Sequence, residues 1–160
     1  NYPDPAVQVE REALKAALQW PAVVGPAFDA IDARAFTVPA FAEVRQVITE
    51  AGGVASGQVG DDWIASVRDA APDDRVRAHV TALAVEAPRT DDAEDEGRYA
   101  LSIMARLREL DTTRQVTQLK SRLQRVNPVD QADEYNRLFG ELLGLEQARR
   151  ALREQAIGEL

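Results

Sequence analysis

The chain has no cysteine, which excludes disulfides, cysteine-ligated zinc and a thiol nucleophile, and fits a reducing compartment. Histidine is nearly absent too: His79 stands alone, flanked on its helix by Val76, Val80 and Leu83 as a packed or surface residue would be. A serine triad would have to recruit His79, and no serine lies in a nucleophile-elbow context. No stretch approaches the roughly 18 apolar residues of a membrane span, and no signal-peptide pattern opens the chain. Alternation at period two is missing as well; every apolar pattern has the helical period, so the expected fold is all-α. Carboxylate pairs are abundant but fall at helix caps or solvated faces. These residues are therefore not expected to form an enzyme or to hold a metal or cofactor.

What is present is 160 residues with a net charge of −8, enough for one or two modest domains with a real core. That charge disfavours indiscriminate nucleic-acid binding. The chain opens on Asn1 within Asn-Tyr-Pro-Asp-Pro, which reads as the cut end of a linker, so a fragment of a longer protein is expected.

Helix signals come one after another. Asp4 caps a helix with Pro5 at its first position, carrying Val7, Leu14, Ala17 and Leu18 and stopping at Trp20-Pro21. A short helix aligns Val24, Phe28 and Ile31, and Pro39 opens another with Phe41, Val44 and Ile48, closed by Gly52-Gly53. Gly52–Gly60 is a loop without the lysine and hydroxyl of a phosphate-binding loop. Asp61 or Asp62 is expected to cap a helix bearing Trp63, Ile64 and Val67, which Pro72 ends; Asp73 opens the next, with Val76, Val80 and Leu83. The clearest break is 88–92, with Asp91 and Glu94 then in a capping arrangement and Asp92, Asp95 and Glu96 nearby. The helix beyond carries Tyr99, Ile103, Leu107 and Leu110 and is expected to run on into the C-terminal segment.

Residues 112–160 read as an antiparallel helical hairpin beside a bundle spanning 1–111. The first arm places Val116, Leu119, Leu123 and Val126 at spacings of 3, 4 and 3; the second places Tyr135, Leu138, Leu142, Leu145 and Leu152 at 3, 4, 3 and 7. A narrow 3–4 stripe of this kind is a coiled-coil seam. Asn127-Pro128-Val129-Asp130 is the turn, with Pro128 suited to a helix start. Pairing positions whose numbers sum to 261 matches Val126 with Tyr135, Leu123 with Leu138, Leu119 with Leu142 and Val116 with Leu145. One step further, Arg149 faces Thr112 beside Asp111 and Thr113, a polar layer expected to mark the joint between hairpin and bundle.

Phe139 and Leu143 lie off that seam, four apart on one helix face, flanked by Gly140 and Gly144. Either Phe139 broadens the hairpin core and the glycines are tolerated, or this is a docking face for another chain. Arg114, Lys120, Arg122 and Arg125 form an acid-free run on the first arm, and Arg149, Arg150 and Arg153 lie on the second. Such a stripe is a solvated coiled-coil face, a rim for an acidic partner, or a phosphate contact. As a docking face the hairpin would use Val129, Phe139 and Leu143 as contacts with Arg150 and Arg153 as rim.

The stretch Glu12-Ala13-Leu14-Lys15-Ala16-Ala17-Leu18-Gln19-Trp20-Pro21 resembles the opening helix of the C-terminal domain of bacterial DNA primase, the DnaG type. Phe36-x-x-Pro39 with its helix and Gly52 resembles the next landmark, and the arm from Tyr135 to Leu152 the closing helix. The resemblance covers nearly the whole chain; Trp20 and the alanines at 13, 16 and 17 depart from it. It implies a bundle and hairpin that dock on the N-terminal domains of the hexameric replicative helicase, in a cytoplasmic protein that lays RNA primers. Zinc-binding and metal-dependent polymerase domains would lie upstream. It also implies a basic pocket on the bundle for the acidic tail of single-stranded-DNA-binding protein, for which the first helix offers Arg11 and Lys15 with Glu10 and Glu12 between. Two other readings stay open: the N-terminal domain of the helicase itself, which would self-associate into a ring, and a nucleic-acid-binding coiled-coil module.

Overall fold

The computed structural model describes residues 4–89 and 95–158, and among them the regular structure is helical throughout. The first helix, α1 (Pro5–Gln19), is the axis of the bundle. Asp4 accepts a hydrogen bond from the Ala6 amide at 2.9 Å, and Pro5 occupies a position whose amide needs no partner. Ala13, Leu14, Ala16, Ala17 and Leu18 are buried, and the three alanines let neighbouring helices approach closely. Trp63 fills the space beside them, fully buried, its indole Nε1 donating to the Ala17 carbonyl at 3.0 Å.

Around α1 pack α2 (Pro21–Asp29), kinked at Gly25 by a φ of +34°, α3 (Pro39–Glu50), α4 (Gly60–Ala70) and α5 (Asp74–Val85). Val24, Phe28, Ile31, Phe41, Val44, Ile48, Val67, Val76, Val80 and Leu83 join one core with the α1 residues. Asp73 caps α5 through the Val76 amide at 2.9 Å. At α4 the structure departs from expectation: neither Asp61 nor Asp62 is the cap, because the helix starts at Gly60 after Val59. Both acids fall in the first turn, where they oppose the helix dipole favourably. The glycine-rich loop contains a short 3-10 turn, Val54–Ser56, whose amides at Val54 and Ala55 donate to Asp29 at 2.9 and 2.8 Å.

The expected Asp91 and Glu94 capping arrangement lies outside the described residues. Asp95 is the cap residue of α6 (Glu96–Leu123) without a side-chain hydrogen bond to it. This helix runs unbroken from the bundle into the hairpin: Ala100, Ile103, Met104 and Leu107 belong to the bundle core, Val116 and Leu119 to a second cluster. The return arm, α7 (Ala132–Gly158), packs antiparallel along α6. Between them Asn127 organises the turn, its Oδ1 accepting from the Val129 and Asp130 amides at 2.8 and 3.1 Å. Pro128 therefore enters a capped turn, and the regular helix starts at Ala132. Among the described residues no helix is long and apolar enough to cross a membrane.

Candidate docking interface

The hairpin core consists of Val116, Leu119, Leu138 and Leu142, with Leu123, Val126 and Leu145 partly buried against them. Tyr135, expected in the seam, is not part of this cluster; it is half-buried and stacks on Phe139 with ring centroids 6.3 Å apart and planes within 9°. Leu152 is buried with Ala156 near the bundle end of α7, apart from the hairpin cluster. Across the arms Lys120 pairs with Glu146 at 3.4 Å, Arg122 with Glu134 at 4.0 Å and Arg153 with Glu109 at 2.9 Å. Arg114 turns toward the bundle and donates to the Ala35 carbonyl at 3.3 Å. Lys120, Arg122 and Arg153 of the basic stripe are thus balanced by acids of α6 and α7.

Outside this closed core Phe139 is 45% exposed, Leu143 49% and Val129, at the turn, 84%. A side chain at Gly140 or Gly144 would meet nothing within 4 Å, so the face beside Phe139 and Leu143 is open. Each glycine costs the helix about 1 kcal/mol relative to alanine, and no contact inside the chain offsets it. Arg150 is exposed on the same arm.

The polar joint differs from the sequence expectation. Asp111 and Thr112 are buried where α6 leaves the bundle, but Asp111 receives Arg34 Nε at 3.3 and 3.2 Å, not Arg149. Thr112 and Thr113 donate to the Arg108 and Glu109 carbonyls of their own helix. Arg149 is half-buried and makes no ion pair among the described residues. The 3-10 turn Ala33–Ala35 brings the Arg34 guanidinium to Asp111, the place expected for Arg149.

Two polar networks on α1 went unread in the sequence. Glu10, buried, accepts from the Thr37 amide at 2.7 Å, the Val38 amide at 3.1 Å and the Thr37 hydroxyl at 2.6 Å, fixing the entry to α3. Glu12 accepts from the Arg89 amide at 2.8 Å and from the Tyr99 hydroxyl, and Lys15, also buried, sits 2.5 Å from its other oxygen. Lys15 further donates to Glu86 at 3.3 Å and to the Ala87 carbonyl at 2.7 Å, while Arg11 pairs with Glu86. The Arg11 hydrogen bond, helped by Lys15, holds the Glu86 carboxyl at about 2. Burial, then the bond to Glu12, pushes the Tyr99 hydroxyl well above its ordinary range. The signal available was position: Glu10 precedes Leu14 by one helical turn and so shares its buried face. With both cations spent on these carboxylates, Arg11 and Lys15 do not form an open basic pocket.

His79 is half-buried beside Arg11, Phe41 and Leu83, with no hydrogen-bond partner at its buried Nδ1. No group of three histidine, aspartate or glutamate side chains converges as a metal site among the described residues. A closed bundle, a hairpin with a complete core of its own and an apolar face left over are the parts of a helical protein-interaction domain. The family model for the DnaB-binding domain of DNA primase DnaG matches residues 10–138, and the chain belongs to that family. DNA primase of Mycolicibacterium smegmatis is 44% identical over 156 residues, which is 98% of this chain and 24% of that protein. The Streptomyces coelicolor DNA primase is 41% identical over 164 residues, 100% of this chain and 25% of its own length. The chain thus spans about a quarter of the curated relatives it matches. The helicase binding domain of primase from Mycobacterium tuberculosis superposes with a TM-score of 0.82 at 43% identity, covering 96% of this chain and 94% of that one.

Proposed function

We propose that this domain binds the N-terminal domains of the hexameric replicative helicase and so recruits a cytoplasmic DNA primase to the replication fork, tuning helicase activity there. The chemistry of primer synthesis, with its zinc and divalent metal, would belong to other domains of the parent protein. The observation that carries this reading is the pair Phe139 and Leu143, about half exposed on a hairpin whose core closes without them. A few such anchors, desolvated against a partner helix, supply most of an interface's affinity. Val129 extends the contact to the turn and Arg150, which makes no ion pair among the described residues, is the rim charge; Arg153 would have to share its guanidinium with Glu109. The open glycine face beside the anchors suits close approach of a helix.

The test is co-elution of the domain with the replicative helicase of the same organism, and then titration. Phe139→Ala and Leu143→Ala are each expected to weaken binding roughly tenfold, about 1–2 kcal/mol, with helical content unchanged. Unchanged affinity in both variants removes the assignment of the face. A mostly monomeric domain in sedimentation supports the primase side of the contact, whereas ring formation through the hairpin supports the helicase side. Pairing of Lys120, Arg122 and Arg153 with acids of α6 and α7 disfavours the nucleic-acid module. The finer role of holding an acidic protein tail would fall to Arg89 and Arg106, which line a cleft between α1 and α6, rather than to Arg11 and Lys15. Titration with an acidic peptide, compared between the parent domain and Arg106→Ala, tests that role; equal affinities reject it.

A further inference from the structure

Leu107 and the partly buried Leu110 close the bundle core on α6, and Val116 opens the hairpin core. Asp111–Gln115, between them, contribute to neither. The hairpin core holds side chains of α6 and α7 alone, and α7 passes this level with Arg153 on Glu109, so the hairpin's orientation is set where this stretch of α6 meets the bundle.

The stretch is locally weak. Thr112, Thr113 and Thr117 donate their hydroxyls to carbonyls four residues earlier, at 2.8, 2.9 and 3.1 Å. Back-bonding of this kind competes for the acceptors of the helix ladder and favours bending. At the same level the helix is gripped from outside. Arg34 Nε lies 3.3 and 3.2 Å from the two oxygens of Asp111, and Arg114 donates to the Ala35 carbonyl at 3.3 Å. Asp32 steadies Arg34 from behind at 3.1 Å, and Gln115 donates to Asp111 at 3.1 Å.

We propose that the turn Ala33–Ala35 is a strut that fixes the angle at which the hairpin leaves the bundle, with Arg34 and Asp111 as its positioning residues. The pair is asymmetric: Arg34 is exposed and Asp111 is buried. Removing the guanidinium leaves a buried carboxylate with Gln115 as its remaining side-chain donor. The carboxylate then gains by opening toward water, and the softened helix beside it supplies the freedom to do so.

The experiment is a distance measurement between spin labels on the free 160-residue chain, one at Ala78 on α5 and one at Asp130 in the hairpin turn, both exposed. The parent chain is expected to give one narrow distribution. Arg34→Ala and Asp111→Asn are each expected to broaden it roughly two-fold, as a few freed hinge residues permit. The double variant should add nothing, because both residues act through one contact. Arg34→Lys, which keeps the charge but not the fork, should restore part of the narrowing. Far-ultraviolet circular dichroism should stay unchanged throughout. If Asp111→Asn does not fold, Arg34→Ala decides, since it alters only an exposed side chain; a distribution as narrow as the parent's overturns the proposal. No helicase is present, so this outcome is separate from the fate of the docking reading.

Discussion

Glu86 is the side chain on which the α1 network converges. It ties Arg11 and Lys15 to the end of α5, and its carboxyl is held at about 2 against an ordinary 4.5. A carboxylate depressed in the folded state stabilises the fold above its unfolded value, and that contribution is lost as pH falls from about 4.5 through about 2. Thermal unfolding of the parent and of Glu86→Gln should therefore differ near neutrality, and the gap should shrink on acidification through that window. A gap that stays constant down to about pH 2 would show that the carboxylate's charge is not what the network uses. The site is partly exposed and screened by solvent, so the effect belongs to the modest range of surface ion pairs.

Between α6 and α7 a small set of aliphatic side chains holds two long helices together, and Leu138 is fully buried at its centre. Leu138→Ala is expected to cost about 2–5 kcal/mol. Because the bundle has a separate core, the loss should appear as local opening: amide exchange in 116–145 should accelerate while that of α1 and α3 stays slow. Uniform acceleration across the chain would mean that hairpin and bundle unfold as one unit. The hairpin was legible because helical packing writes a period into the chain, and Val116, Leu119, Leu123, Leu138, Leu142 and Leu145 keep it. The capping of α1 and α5 was legible because a cap acts over two or three residues. Partnerships across 77 residues, such as Arg34 with Asp111 or Glu12 with the Arg89 amide, have no period and no local rule. The period alone therefore assigns Arg149 to the joint and says nothing of Glu10 and Glu12, which are buried where α1 meets Thr37 and Tyr99. The turn at Pro128 was read correctly as a turn, but the hydrogen bonds of Asn127 that delay the regular helix to Ala132 depend on a rotamer the sequence does not display.

As a whole the molecule carries a net charge of −8, yet α7 exposes Arg150, which makes no ion pair among the described residues, on the same arm as Phe139 and Leu143, the proposed anchors. If the anchors carry the affinity and the rim charge steers encounter, raising the salt concentration should slow association with the helicase more than it speeds dissociation. Dissociation that responds more strongly than association would move the weight of the interface from Phe139 and Leu143 to ionic contacts. The placement of the indoles bears on how such changes are measured. Trp63 lies sealed beneath α1 and Trp20 packs against the same core, while α7 and the second half of α6 contain no tryptophan. Tryptophan emission, excited apart from Tyr99 and Tyr135, is consequently a gauge of the bundle alone. A variant whose hairpin has melted would still glow like the intact protein, so a normal tryptophan melt certifies only the bundle half of the chain.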